Sequence, residues 1–172
     1  MRIVAGQWRG RRLVAPPGRT TRPTSDRVRE AVFSILGPLD GENVLDLFAG
    51  SGALALEALS RGAAEATLVE RDRAALEALR ANAEALGAGV RVIAGDAAAF
   101  LRSAAKAGDH YDLVFLDPPY RATVEELALQ PVLAPDARVV AESDRRSPLD
   151  LPIPITDERR YGDTLIRFHA HS

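Results

Sequence analysis

Between residues 43 and 142, five short apolar runs alternate with stretches of helical period. The runs are NVLDLF (43–48), ATLVE (66–70), VRVIAG (90–95), YDLVFLD (111–117) and ARVVAE (137–142), and the helical stretches are 51–61, 72–86, 97–107 and 124–133. Apolar runs this short and continuous read as strands covered on both faces. Crossover helices supply that cover only when the strands run parallel. The expected fold is α/β, a doubly wound and mostly parallel sheet. The tail ITDERRYGDTLIRFHA (155–170) adds two strands joined near Gly162-Asp163, for seven in all.

Upstream, Thr24 or Ser25 is placed to cap a helix, with Asp26 in its first turn. Val28, Val32 and Ile35 then fall on one face until Gly37-Pro38 ends the pattern. Residues 1–24 read as an arm of short strands, RIVAG and RRLVA, broken by PPG and RPT. The division expected is an arm over 1–24 and a main domain over 25–172, packed as one unit.

Charge separates the two parts. Residues 1–35 carry eight arginines against Asp26 and Glu30, a local +6 in a chain of net charge −2, which leaves −8 for the rest. A basic arm on an acidic body points to a polyanionic partner; a solvated, salt-bridged surface is the plainer alternative. Cysteine is absent, which excludes disulfides, thiolate catalysis and thiolate metal sites. His110, His169 and His171 lack metal-ligand spacing, and the last two are expected in a frayed C-terminus, so no metal is expected. No apolar run approaches a membrane span, and the expected location is the cytoplasm.

In a doubly wound sheet, ligands sit at the carboxyl ends of the strands, and four motifs fall there. Asp46-Leu-Phe-Ala-Gly50-Ser-Gly52 closes the first strand and opens a helix. Its glycines allow the turn and a close backbone approach, although a bare strand–helix turn would use them too. The dinucleotide fingerprint would need a third glycine where Ala55 stands, so a nicotinamide enzyme is disfavoured. A carboxylate at Asp46 would repel a pyrophosphate but suits the cationic methionine end of a sulfonium cofactor. Glu70 ends the second strand, placed to accept from two ribose hydroxyls. Asp96 follows the third strand and serves either an adenine amino group or the cap of the next helix. Asp117-Pro118-Pro119-Tyr120 follows the fourth. Its prolines stiffen the loop and remove two amide donors. Asp117 and the Pro118 carbonyl can then accept both N–H groups of one exocyclic amine, while Tyr120 offers a stacking face for a base out of its helix.

These motifs resemble those of class I S-adenosylmethionine-dependent methyltransferases acting on exocyclic amines. With GQWRGRRL (6–13), RPTSDRVREAVF (22–33), DLFAGSGALALEALSRGA (46–63) and DPPY (117–120) in this order, the chain is similar to the RsmD family. The likeness continues through VVAES (139–143). That family methylates guanine N2 in small-subunit (16S) ribosomal RNA. The resemblance implies a Rossmann-like fold and a cofactor site of Asp46, Phe48, Gly50, Ser51, Gly52, Glu70, Arg71, Asp96 and Ala97. It implies catalysis at Asp117, Pro118 and Tyr120, with S-adenosyl-L-homocysteine as coproduct. Arg9, Arg11, Arg12, Arg22, Thr24, Pro119 and Tyr120 would meet the RNA, and Trp8 would stack on a base or anchor the arm. The implied partner is small-subunit rRNA or an assembling small subunit, met by a monomer. Asp-Pro-Pro-Tyr is shared with adenine-N6 enzymes, so an adenine methyltransferase is the rival reading. A non-catalytic RNA-binding module is the other.

Overall fold

The computed structural model describes residues 1–17, 24–119 and 124–172. Ser25 caps the first helix, α1 (Asp26–Leu36), by accepting from the Val28 amide, and Gly37 closes it with its N–H on the Phe33 carbonyl. The elements then alternate as β1 (Asn43–Leu47), α2 (Ala53–Ser60), β2 (Glu65–Glu70), α3 (Arg73–Leu86), β3 (Arg91–Ala94), α4 (Ala97–Ala107) and β4 (Tyr111–Leu116). β5 (Leu133–Asp144), β6 (Ile155–Tyr161) and β7 (Thr164–Ala170) complete the sheet, whose order is β3-β2-β1-β4-β5-β7-β6. β1 to β5 are parallel, and β7 runs antiparallel between β5 and β6. This is the doubly wound α/β fold, with the order reversing at β1.

Side-chain alternation along the strands divides the core into two layers. Val44, Leu68, Leu113 and Phe115 face α1, α2, α3 and the arm residues Ile3 and Leu13. Leu45, Leu47, Val69, Val114 and Leu116 face α4 and the segment before β5. Burying such strands on both faces is what makes their sequence continuously apolar.

Four expectations are corrected here. Residues 124–133 do not form an α-helix: two one-turn 3-10 segments, Val124–Glu126 and Gln130–Val132, stand there, followed by β5. Pro131 lacks an amide donor and disfavours the α region at Gln130, so an apolar pattern alone could not sustain a helix. Helix α1 buries Arg29, Val32, Phe33 and Leu36, while Ile35 is 37% exposed. His169 is not frayed but 1% exposed in β7, with its Nδ1 on the Ile153 carbonyl at 2.9 Å. The arm contains no strand among its described residues, only the isolated bridge Arg2–Arg12.

The arm closes on itself through a few backbone bonds, such as the Ile3 amide to the Arg11 carbonyl at 2.9 Å, and its other amides find partners on helix side chains. The amides of Val4 and Ala5 donate to the two Glu57 carboxylate oxygens at 2.8 and 3.0 Å, and the Trp8 amide donates to Ser60 Oγ at 3.0 Å. Gly6 packs so tightly on Ser60 that an added Cβ would fall 1.8 Å from its carbonyl oxygen, at φ +89 besides. Glu57 also binds Arg29 Nε at 3.3 Å and Arg61 Nε at 2.9 Å, and both Glu57 and Arg29 are fully buried. The Arg29 guanidinium reaches Asp26 at 2.9 Å and the Arg2 carbonyl. One of the eight N-terminal arginines is therefore internal to the fold. Removing Glu57 strands a buried guanidinium, so Glu57→Ala is expected to lower unfolding free energy by about 3–5 kcal/mol. Urea titration of parent and variant measures it, and an unchanged midpoint would contradict the account.

Candidate active site

The strand order places acidic residues side by side at the carboxyl edge. Asp96 follows β3, Glu70 ends β2, Asp46 lies near the end of β1, Asp117 follows β4, and Glu142 is near the end of β5. The parallel register keeps them level: Leu47 pairs with Val69 and Leu116, and Leu116 with Ala141.

The loop after β1 is built around the Glu70 carboxylate. Its Oε1 accepts from the Gly50 amide at 2.8 Å, and its Oε2 accepts from the Arg71 and Asp72 amides at 2.9 and 2.8 Å. A carboxylate has about four acceptor positions, so about one remains for a ligand hydroxyl. Gly52 begins α2 at φ +82, where a Cβ would crowd Leu68 and Leu79 at 3.1 and 3.3 Å. Phe48 is left-handed without being glycine, at φ 60, and such backbone strain gathers where a loop must be shaped for a ligand. Ser51 is buried, whereas Arg71 is exposed.

Asp46 is 2% exposed and its Oδ2 accepts from the Ala55 amide at 3.2 Å. Burial lifts its carboxyl well above the ordinary range; the Ala55 bond opposes this, and the Glu70 charge adds to it. A buried carboxylate disfavoured in its charged form, with a single hydrogen bond, fits a cationic ligand group. Asp96 caps α4 with Oδ2 on the Ala99 amide at 2.9 Å, while Oδ1 lies 3.9 Å from Arg71. The cap is thus occupied, and Ala97 begins the helix behind it. Asp117 and Pro118 are half-buried, Pro119 is exposed, and Tyr120 lies outside the described residues.

The arm residues are distributed along the helical layer rather than gathered at this edge. Gly6 to Trp8 lie against Ser60, eight residues down α2 from Gly52 and so about 12 Å along the helix rise. Trp8 is half-buried against the core, which is the anchoring role. Arg11 donates to the Ala85 carbonyl at 2.6 Å, whereas Arg9 and Arg12 are exposed and pair with no acid among the described residues. Arg22 lies outside the described residues. Thr24 spends its hydroxyl on Glu142 Oε2 at 2.7 Å. The described arm residues thus reach both the far end of α2, at Ser60, and the carboxyl edge of the sheet, at Glu142.

Two structural residues were missed in the sequence. Buried Asn82 donates to the Val14 carbonyl at 2.9 Å and the Ser51 carbonyl at 3.0 Å, and accepts from the Val14 amide at 2.8 Å, so it ties arm to loop. Glu57 anchors the arm from α2. The available signal was a polar residue on the buried face of an Ala/Leu-rich helix. Glu142 was missed as well. A larger hollow of about 490 Å³, lined by Asn43, Thr67, Arg91 and Tyr111 among others, sits at the opposite, amino edge and meets none of these motifs.

The folded chain holds the Asp46 proton more tightly than the unfolded chain does. Its contribution to stability is therefore fully present below about pH 4 and is lost as pH rises through the raised pKa of Asp46. Asp46→Asn is expected to remove that decline; urea midpoints across pH test it, and coincident profiles for parent and variant would refute it.

Comparison with known proteins gives the chain a family. Residues 1–170 match the model of the family described as Conserved hypothetical protein 95. The chain is 46% identical over 151 residues to ribosomal RNA small subunit methyltransferase D of Escherichia coli K12, spanning 84% of this chain and 75% of that one. The protein of the same name from Haemophilus influenzae is 37% identical over 161 residues, 88% of this chain and 83% of that one. Among solved structures, a hypothetical protein of Thermus thermophilus superposes with a TM-score of 0.85 at 34% identity, covering 98% of each chain. The chain belongs to the RsmD family, that of the ribosomal RNA small subunit methyltransferase D proteins.

Proposed function

We propose that the chain transfers a methyl group from S-adenosylmethionine to the exocyclic N2 of a guanine in small-subunit ribosomal RNA, contributing to ribosome maturation. The observation that carries this reading is the row of Asp96, Glu70, Asp46 and Asp117 at the ends of four adjacent parallel strands. The Escherichia coli and Haemophilus influenzae relatives, by their names, methylate the same class of RNA.

The residues fit the cofactor. Asp46 offers a buried carboxylate to a cationic amino group, Glu70 one open acceptor position to a ribose hydroxyl, and Gly50 and Gly52 a backbone without side chains. Phe48, Ser51, Arg71, Asp96 and Ala97 complete the wall of this binding site. When bound, S-adenosylmethionine supplies a methyl group carried on a sulfonium, open to direct displacement.

The chain's own work is then to position and polarise the amine. A conjugated amine is a poor nucleophile because its lone pair is delocalised into the ring. Asp117 and the Pro118 carbonyl accept its two N–H groups, which favours a pyramidal nitrogen with a localised pair. The Asp117 charge also favours the positive charge that grows on the nitrogen as its new bond forms. That nitrogen sheds its proton after alkylation, so no strong base is required. Tyr120 and Pro119 would hold the flipped base by stacking and contact. Arg9 and Arg12, both exposed on the arm, would grip phosphates, and Arg22 and Thr24 would add further RNA contacts. We read the chain as a cytoplasmic monomer acting on rRNA or an assembling small subunit.

Asp117→Ala is expected to lower turnover on the order of 100-fold while cofactor affinity changes little, because its interaction strengthens in the transition state. Tritium transfer to undermethylated small-subunit rRNA, followed by nucleoside analysis, measures this. The product expected is N2-methylguanosine; N6-methyladenosine, or full activity in the variant, would defeat the proposal. Replacing Arg9 and Arg12 together by alanine, which spares the Arg11 contact with α3, should flatten the salt dependence of RNA binding. The slope should drop by ~0.7–0.9 for each phosphate no longer neutralised. A parental slope would return both residues to the role of solvated surface.

A further inference from the structure

Asp117 is not the only carboxylate beside the position of the target amine. β4 and β5 are parallel neighbours with Leu116 opposite Ala141, so Asp117 and Glu142 follow at the same level. Both line one narrow cleft with Thr24, Leu116 and Val140. The cleft has room for about one water molecule, so a base would meet these carboxylates with its edge at the mouth.

Glu142 is an unusual residue for its place. Val139, Val140 and Ala141 before it are buried, and apolar surroundings penalise a charge. No cation among the described residues pairs with it. Its one hydrogen bond from a described residue is that of Thr24 Oγ1 to Oε2, so among the described residues nothing donates to Oε1. Such a carboxylate, oriented by a neighbour and half-open to solvent, is arranged to accept a hydrogen bond from something that comes to the cleft.

The chemistry of the bases names that donor. Adenine, cytosine and guanine all carry an exocyclic amine. Beside the amine, adenine has the lone pair of N1 and cytosine that of N3. Guanine alone has a ring N–H there, at N1. A second carboxylate next to the one that holds the amine therefore attracts guanine and repels the other two.

We propose that Glu142 is the specificity-determining residue of this site, accepting the N1–H of the target guanine while Asp117 holds the adjacent N2 amine. The assignment rests on the methyltransferase reading above and supplies what Asp-Pro-Pro-Tyr alone cannot, the identity of the base. Burial pushes the Glu142 carboxyl up, and the Thr24 hydrogen bond opposes part of that shift.

The test exchanges a donor for an acceptor on both sides. In 2-aminopurine the exocyclic amine is retained, but N1 bears a lone pair instead of a proton. Small-subunit rRNA fragments carrying guanine or 2-aminopurine at the modified position are offered to the parent and to Glu142→Gln. The amide is nearly isosteric and keeps an oxygen for Thr24, but it can donate to N1. The parent should prefer guanine, and Glu142→Gln should shrink the guanine-to-2-aminopurine ratio of kcat/KM by roughly 10–100-fold, the scale of one base-edge recognition pair. The fluorescence rise of 2-aminopurine on leaving the stack should likewise be larger with the variant than with the parent, independently of methyl transfer. S-adenosylhomocysteine affinity should be the same in both.

An unchanged ratio, or equal loss on both substrates, overturns the role of Glu142 while leaving the methyltransferase reading intact. Loss of S-adenosylhomocysteine affinity in Glu142→Gln would mark the residue as a structural tie to Thr24 and overturn it as well. A parent that forms no N2-methylguanine would bring down the underlying reading, and this one with it.

Discussion

The arm stays on this fold because one buried carboxylate gathers four groups from the arm, α1 and α2. Glu57 accepts the amides of Val4 and Ala5, neutralises Arg29 from α1, and holds Arg61 one turn along its own helix. The arm satisfies part of its backbone internally, as between Ile3 and Arg11, and the remaining amides fall to side chains of the body, Glu57, Ser60 and Asn82. Desolvating a charge is costly, and here the cost is offset by packing arm, α1 and α2 into one body. Because α2 starts at Gly52, the same helix that anchors the arm also shapes the cofactor loop.

A second constraint operates at the carboxyl edge of the sheet. Parallel strands deliver their last residues to one side, and five neighbouring ends here bring acids into a row. Burial raises the proton affinity of Asp46 in that row, the Ala55 amide opposes it, and the Glu70 charge adds a smaller push in the same direction. Glu70 accepts from three backbone amides, whereas Asp46 accepts from one among the described residues. Glu70 is thus the organiser of the loop, while Asp46 sits buried beside it. Stability given up at such a site is a common cost of preorganised binding.

The charge asymmetry of the sequence has a more mixed meaning in three dimensions. Arg29 is core, and Arg11 closes on the end of α3. What is left for a polyanion is a smaller set of exposed arginines along the helical layer. In the C-terminal third, Arg145, Arg146, Arg159 and Arg160 each lie within 4 Å of a nearby acid, so their net field is weak.

By itself the sequence determined the sheet, its parallel sense and the residues at its carboxyl edge. Both-face burial forces continuous apolar runs, and the loop at each strand end must carry its own glycines, prolines and acids. The motifs Asp46 to Gly52, Glu70, Asp96 and Asp117 to Pro119 were legible for that reason, because they are local. Only the tertiary structure decided which partners those residues meet. That Glu70 holds the Gly50 amide, that Asn82 joins Val14 to Ser51, and that Glu142 stands level with Asp117 are relations across 20, 31, 68 or 25 positions of chain. No periodicity encodes such pairs. The same holds for the helix expected over 124–133, where an apolar pattern satisfied by three buried residues, Leu129, Val132 and Leu133, needed no helix once Pro131 denied it one.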